Sequence, residues 1–99
     1  MLKVGGIWVA PFEVESALAA HAAVREAAVV GQADGEGLIK PKAFVVLEDA
    51  AQGSPALIDE LKAFVKGTLA PYKYPRWIEL VTELPKTATG KIQRFRLRA

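Results

Sequence analysis

The first third of the chain has two short apolar runs on either side of a glycine pair, followed by a helical pattern. Leu2–Val4 and Ile7–Val9 flank Gly5 and Gly6. This arrangement predicts a tight β-hairpin. A proline suited to a first helical turn comes next, with apolar residues at helical spacing and two early glutamates that we interpret as acids favouring a helix start. The pattern predicts a helix from about Pro11 to Ala20.

The middle of the chain has the pattern of two strands. Val24–Gly31 is a strand candidate that ends in a glycine, and Lys42–Glu48 is a nearly continuous apolar run. A continuous run predicts a strand that is central or buried on both faces. The segment between them, Gln32–Gly37, is rich in glycine and acidic residues, so we predict a turn there.

The last predicted elements are a helix, a strand and a basic tail. The Ser-Pro pair at 54–55 predicts a helix start, and one apolar stripe continues to about Leu69. Arg76–Val81 predicts a third strand. The tail Pro85–Ala99 begins as a loop and is predicted to end as a short helix from Ile92. Together the pattern predicts an α+β fold: a small three-stranded sheet flanked by two helices, with an N-terminal β-hairpin and a basic C-terminal loop or helix.

Composition fits one small globular domain and excludes several kinds of site. The chain has 99 residues, 52% of them hydrophobic, with no cysteine and one histidine. The lack of cysteine excludes a disulfide scaffold, a thiolate metal site and a cysteine nucleophile, and one histidine cannot form a histidine cluster, so we predict no metal site. No apolar stretch approaches the ~20 residues that span a bilayer, and no signal peptide is recognisable, so we predict a cytoplasmic protein without membrane contact.

Charge is unevenly distributed behind a net charge of +2. Residues 1–70 carry six basic and nine acidic residues, a balance of −3, whereas residues 71–99 carry seven basic and two acidic residues, a balance of +5. A basic C-terminal third is typical of contact with an anionic partner. A phosphorylated cofactor, a nucleic acid and an acidic protein surface all meet this condition.

The glycine near the C-terminus does not belong to a phosphate-binding loop of the Walker type. Around Gly90 and Lys91 that motif requires glycine at position 85 and serine or threonine at position 92, where Pro85 and Ile92 stand. What remains is a loop whose glycine allows a sharp turn and whose lysine is a mobile point charge. On the residues alone, a solvated surface lysine is the better interpretation.

Two separated segments nevertheless resemble a known protein family. They are Lys3–Glu15 (KVGGIWVAPFEVE) and Leu84–Arg94 (LPKTATGKIQR), and Val24–Leu47 and Leu69–Pro75 match in the same order. The chain resembles the C-terminal domain of the adenylate-forming superfamily, which contains acyl- and aryl-CoA ligases, adenylation domains of nonribosomal peptide synthetases, and luciferases. The similarity is greatest to aryl-CoA ligases of the benzoate–CoA ligase type, and it covers essentially the whole chain.

This resemblance implies an enzyme, an AMP-forming acid–CoA ligase, of which residues 1–99 are the C-terminal lid domain. Its partner is its own large N-terminal domain, which lies outside this chain. That domain binds ATP and the acid, and it also holds most of the Mg²⁺. The implied acid is benzoate or another aromatic carboxylate, and coenzyme A is the second cofactor. The lid closes over the large domain in two orientations, and we expect the isolated lid to be inactive.

The resemblance also assigns roles to individual residues. Lys91 matches the adenylation lysine, which offsets the repulsion between a carboxylate and the α-phosphate of ATP. A lysine acetyltransferase and a deacetylase acting on Lys91 are implied partners. The residues placed beside coenzyme A are Gly5, Gly6, Trp8, Tyr72, Lys73 and Arg76. Gly5 and Gly6 leave room for the pantetheine arm. Trp8 either forms a wall of this passage or packs on the domain. Tyr72, Lys73 and Arg76 suit the adenine ring and the phosphates of coenzyme A.

Three other functions stay open on the sequence. An adenylation domain that serves a carrier protein would leave Lys73 and Arg76 without a CoA nucleotide to bind. A small nucleic-acid-binding module would use the basic tail, although no stacking platform or recognition-helix motif accompanies it, so we expect no nucleic-acid partner. A non-catalytic domain that binds another protein is the third.

Overall fold

A computed structural model describes residues 2–4, 7–69, 74–86 and 88–90, and within these ranges it shows two helices, a three-stranded sheet and a two-stranded hairpin. The elements are β1 (Leu2–Val4), β2 (Ile7–Val9), α1 (Pro11–Ala19), β3 (Val24–Ala33), β4 (Ile39–Leu47), α2 (Pro55–Thr68) and β5 (Trp77–Leu80). The predicted α+β class is therefore confirmed. The predicted helix from Ile92 lies outside the described residues.

The predicted N-terminal hairpin is confirmed. β1 and β2 are antiparallel, with Leu2 opposite Val9 and Val4 opposite Ile7, so two residues connect the strands. β1 also runs beside β4 of the main sheet. β2 passes through Ala10 directly into α1, whose first residue is a proline as predicted.

The main sheet has the order β3-β4-β5, with β4 in the centre. β4 is antiparallel to β3 and parallel to β5. The parallel pair requires a crossover, and α2 supplies it. Residues 43–47 of β4 are all buried, which confirms the prediction of a central strand from its continuous apolar run.

The pair β3 and β4 is longer than the sequence pattern predicts. Their pairing continues to Ala33 and Ile39, so the turn is 34–38 and not the predicted Gln32–Gly37. Pro41 concealed the extension, because a proline inside an apolar run indicates a strand boundary. The Pro41 carbonyl accepts a hydrogen bond from the Arg76 backbone N–H at 2.8 Å. The proline nitrogen therefore points to the same side, away from β3, and β5 has no residue paired with it there. The missing N–H of the proline thus costs no hydrogen bond between β3 and β4.

The turn between β3 and β4 is held by one aspartate. The Asp34 carboxylate accepts hydrogen bonds from the backbone N–H groups of Glu36 at 2.8 Å and Leu38 at 3.1 Å. Gly37 has a φ of +79°, a conformation that side chains with a Cβ rarely adopt. Where the chain reverses and the strand pairing ends, the Asp34 carboxylate thus supplies the hydrogen-bond acceptor for the backbone N–H groups of the turn.

The hydrophobic core lies between one face of the sheet and the two helices, because alternate strand residues point to opposite faces. Its buried residues are Val14, Ala17, Leu18, Val24, Ala27, Val29, Ala43, Val45, Leu47, Leu61, Val65 and Ile78. A smaller buried cluster on the other face contains Ala28, Val30, Phe44, Val46 and Leu84. Across the described ranges, no helix has the length and apolar character needed to cross a bilayer.

A buried carboxylate ties α1 to the outer edge of β3. Glu15 is 7% exposed and accepts a hydrogen bond from the Val29 backbone N–H at 2.8 Å. β3 is an edge strand, and edge N–H groups that face away from the sheet need another acceptor. Glu15 is therefore more than an acid favouring the helix start, since it fixes the position of α1 against the sheet.

Candidate functional site

Of the predicted coenzyme A residues, Arg76 is the one whose side chain the structure describes, and it lies at one end of the sheet. We call this the turn end, defined by the turn Asp34–Leu38, Pro41 and Arg76. The Arg76 backbone is anchored to the Pro41 carbonyl immediately before β5, and its side chain is exposed. An exposed guanidinium on an anchored backbone can bind an anionic group bidentately.

The electrostatics of the turn end place Arg76 near an acidic side chain. The pKa of Asp34 is lowered, chiefly by the hydrogen bond from the Glu36 N–H. Desolvation, the next largest effect, opposes this shift, and the Leu38 N–H and the charges of Lys40 and Arg76 lower the pKa further. The charges of half-buried Lys40 and exposed Arg76 therefore act on one carboxylate that already has two hydrogen bonds from the backbone.

Two more predicted residues lie in the chain between the end of α2 and Tyr74. The chain re-enters the described region at Tyr74, whose ring lies 4.2 Å from the Lys66 ammonium, and continues through buried Pro75 to Arg76. Tyr72 and Lys73 themselves lie outside the described residues.

The hairpin residues are described only in part. Trp8 lies in β2 opposite Lys3 in the register, and only the backbone of this strand is described. Gly5 and Gly6 occupy the two positions between the strands and lie outside the described residues. The predicted choice between a tunnel wall and a packing residue for Trp8 stays a prediction.

Lys91 also lies outside the described residues, but the segment that leads to it is anchored to the sheet. Leu84 is 4% exposed and belongs to the smaller cluster. The Lys86 ammonium forms an ion pair with the Glu26 carboxylate of β3. Gly90 has a φ of +87°, so a left-handed residue redirects the chain directly before position 91, as the glycine predicted.

The two anchor points lie toward opposite ends of the central strand. Pro41, which holds Arg76, is paired with Gly31, whereas the ion-paired Glu26 is opposite Val46. These positions are five residue steps apart along β4, which is about 17 Å at about 3.4 Å per residue. The same core thus holds Arg76 at the turn end and the base of the Lys91 segment near the other end.

The anchors of the Lys91 segment were not predicted from the sequence. Glu26 and Lys86 are separated by 60 positions, and only the folded sheet brings them together. The apolar Leu84 directly before Pro85 was the sequence signal that this segment begins with a buried residue. In the described ranges, no group of three or more His, Cys, Asp or Glu side chains is placed to hold a metal ion.

Comparison with known proteins identifies the family. Residues 13–91 match the family described as AMP-binding enzyme C-terminal domain. The whole chain is 68% identical to part of a benzoate–CoA ligase from Thauera aromatica, and 99% of it is 57% identical to part of a 4-hydroxybenzoate–CoA/benzoate–CoA ligase from Rhodopseudomonas palustris. The chain spans only 19% and 18% of the lengths of these relatives.

A solved structure shows the same architecture. The crystal structure of the anthranilate–CoA ligase AuaEII in complex with anthranoyl-AMP superimposes with a TM-score of 0.93 at 61% identity, over 98% of this chain and 19% of that one. The similarity thus covers nearly all of the present chain and about a fifth of each larger protein. With its α+β fold and the match over residues 13–91, the chain belongs to the family of AMP-binding enzyme C-terminal domains.

Proposed function

We propose that this chain is the mobile C-terminal domain of an AMP-forming acid–CoA ligase for benzoate or another aromatic carboxylate. The identity of 68% to a benzoate–CoA ligase and of 61% to an anthranilate–CoA ligase supports an aromatic acid. The 19% share of the length of these relatives supports a domain that works with a larger partner on the same polypeptide.

In the first step, a carboxylate oxygen attacks the α-phosphorus of ATP, the bond to the leaving pyrophosphate breaks, and an acyl-adenylate forms. Both reacting groups are anionic, so a cation between them lowers the barrier. We assign this role to Lys91, delivered by the segment that Leu84 and Lys86 anchor. Mg²⁺ accompanies ATP in the large domain, and we assign it no ligand among the described residues.

In the second step, the thiol sulfur of coenzyme A attacks the acyl carbonyl, AMP leaves, and the thiol proton passes to the medium. We assign the passage of the pantetheine arm to Gly5 and Gly6, with Trp8 beside it. The residues assigned to the nucleotide of coenzyme A are Tyr72, Lys73 and Arg76. Arg76 fits this role because it is exposed and its backbone is fixed to β4.

The observation that carries the proposal is the placement of the two anchors toward opposite ends of β4. A lid that serves two consecutive reactions must present one set of groups, rotate, and present another. Arg76 is held at the turn end, and Lys86 is held by Glu26 near the other end. Rotation of one rigid core can therefore exchange the two regions without refolding either.

A domain exchange tests the proposed function. The C-terminal part of the Thauera aromatica benzoate–CoA ligase is replaced by residues 1–99 of this chain, and the truncated ligase without that part is the control. We expect the chimera to form benzoyl-CoA and AMP from benzoate, ATP and coenzyme A, and the truncated ligase to form neither at a comparable rate. A chimera no more active than the truncated ligase would show that the proposed function is wrong.

We further propose that acetylation of Lys91 regulates the first step. Acetylation removes the positive charge that the reaction needs. The glycine before Lys91 has a left-handed conformation, and no neighbouring group lies within 4 Å of the position that a Cβ would take there, so the approach to the segment is open. The chimera is treated with a lysine acetyltransferase and acetyl-CoA, and the modified residue is mapped by mass spectrometry. Full activity with Lys91 stoichiometrically acetylated would contradict the proposal, and recovery with a deacetylase is expected.

A further inference from the structure

A β-bulge in β3 turns Glu26 away from the helices. Val24 is paired with Leu47 and Glu26 with Val46, so β3 advances two residues while β4 advances one, and Arg25 is the extra residue. Alternate residues of a regular strand share a face. Because of the extra residue, Val24 lies in the core beneath the helices, whereas Glu26 lies, like its partner on β4, on the face of the smaller cluster. Bulges often re-aim a side chain in this way next to a functional site.

The re-aimed carboxylate receives the Lys86 ammonium, which forms an ion pair with it. The side chains of Lys86 and Glu26 are 37% and 30% exposed, and a pair that is partly withdrawn from water is screened less by salt than an exposed one. Leu84, two residues earlier, is buried in the cluster on the same face. One apolar and one ionic contact therefore fix the place and the direction of the chain where it enters the Lys91 segment.

The connection from Lys86 to Lys91 is short. Five residue steps separate the two lysines, and an extended chain covers at most about 17 Å over five steps. Within them the chain turns at residues 88–90, where Gly90 has a φ of +87°. A shift of Lys86 on the sheet therefore changes the starting point from which the side chain at position 91 extends.

We propose that Glu26 is a positioning residue for adenylation, which acts by holding Lys86 and thereby the base of the Lys91 segment. This inference rests on the proposed function. Glu26 contacts Lys86 and acts on the reaction only through Lys91. A cation that is already in place when the carboxylate meets the α-phosphate needs no reorganisation at the moment of reaction. The ion pair has no part in thioester formation.

Removal of one charge in the chimera tests this role. Glu26→Gln keeps the shape of the side chain and removes its charge. We expect single-turnover pyrophosphate release without coenzyme A to slow about 10- to 100-fold, the loss that a small misplacement of a reacting group produces. Thioester formation from supplied benzoyl-adenylate should stay unchanged, which also shows that the domain is folded. Glu79→Gln is the matched control, since it breaks the 3.6 Å ion pair with Lys42 on the same sheet and should change neither rate.

Two combined variants separate positioning from a merely structural role. Glu26→Lys alone places two cations together and should slow pyrophosphate release at least as much as Glu26→Gln. Adding Lys86→Glu restores the attraction with the charges exchanged, and most of the lost rate should return. In a chimera that already carries Lys91→Ala, Glu26→Gln should slow pyrophosphate release no further, because two residues that act through one group do not lose their effects additively.

The outcomes distinguish this inference from the proposed function. An active chimera in which Glu26→Gln leaves adenylation unchanged refutes the positioning role and leaves the ligase function intact. Equal losses in both steps, no recovery with the exchanged pair, or a further loss on the Lys91→Ala background also refute it, because Glu26 would then act on the fold or through another group. An inactive unmodified chimera refutes both together.

Discussion

Lys91 has the central chemical role in the proposed function, and its removal should affect the two half-reactions unequally. In the chimera, Lys91→Ala should slow adenylation by about 10²- to 10³-fold, the loss associated with one charge-stabilising contact in a transition state. Thioester formation from supplied benzoyl-adenylate should change little. Lys62→Ala on α2 removes a lysine without an assigned role and serves as the control. Parallel losses in both steps would contradict the assignment.

Glu15 should stabilise the domain through its hydrogen bond to the edge of β3. Glu15→Ala leaves the Val29 N–H without this acceptor in a buried position, which costs about 1–3 kcal/mol. Glu15→Gln keeps an acceptor oxygen and should lose less, and Ser16→Ala at the next, exposed position should lose least. The free energy of unfolding from urea titrations checks this order. A Glu15→Ala variant as stable as Ser16→Ala would show that the bond is dispensable.

The Asp34 turn should contribute stability that depends on pH. The pKa of its carboxyl is lowered in the folded chain from an ordinary 3.8, chiefly by the Glu36 N–H, so the folded state favours the ionised form. The contribution is complete above the ordinary pKa and is lost as the pH falls through the lowered value. Asp34→Asn should therefore be less stable than the parent at pH 7 and equal to it below both values. Urea titrations from pH 7 to pH 2 measure this, and a pH-independent difference would contradict it.

At this scale the sequence predicts the residues that belong to a motif and misses those that act through distant partners. The assignments of Lys91 and Arg76 come from local resemblance and stay predictions, whereas the left-handed Gly90 follows from the residue type. The Glu15 bond to Val29 spans 14 positions and the Lys86 pair with Glu26 spans 60. No local pattern encodes these distances, because the sheet register sets them.

At the scale of elements, the helices and the central strand are predictable because each has one dominant pattern. Ser54 accepts a hydrogen bond from the Leu57 N–H at 3.1 Å, which confirms the predicted start of α2. The continuous apolar run of β4 reflects burial on both faces. The ends of β3 and β4 were missed, because Pro41 and the acidic turn residues give loop signals while the backbone pairing continues to Ala33.

The hairpin should matter for the second step alone. In the chimera, Gly6→Leu places a branched side chain where we assign the passage of the pantetheine arm. Thioester formation should therefore slow tenfold or more, and a tenfold loss corresponds to an activation free energy raised by ~1.4 kcal/mol. Single-turnover pyrophosphate release without coenzyme A should be spared. Gly67→Leu is the control, since a Cβ added at that glycine would have nothing within 4 Å. Equal losses in both steps would mean that Gly6 is only a turn residue.

At the scale of the molecule, one core serves both candidate regions. α1 and α2 cover one face of the sheet, and the Lys91 segment packs Leu84 on the other. The turn end is fixed by backbone hydrogen bonds from Arg76 and around Asp34. Within the described residues both regions are thus attached to the same core, as the proposed reorientation of the domain as a unit requires.

The isolated chain should fold without catalysing adenylation. A core of twelve buried residues on one face of the sheet, with a second cluster on the other, supports a cooperative domain within the usual range of about 5–15 kcal/mol. The reaction, however, needs a carboxylate and ATP held in register, and the proposal places both in the large domain. The purified 99-residue chain should therefore show one sigmoidal unfolding transition in urea and no pyrophosphate release above background with ATP, Mg²⁺ and benzoate. Adding the truncated ligase is the informative control, because activity that appears only in the mixture assigns catalysis to the pair, whereas release by the chain alone would mean that it holds a complete site of its own.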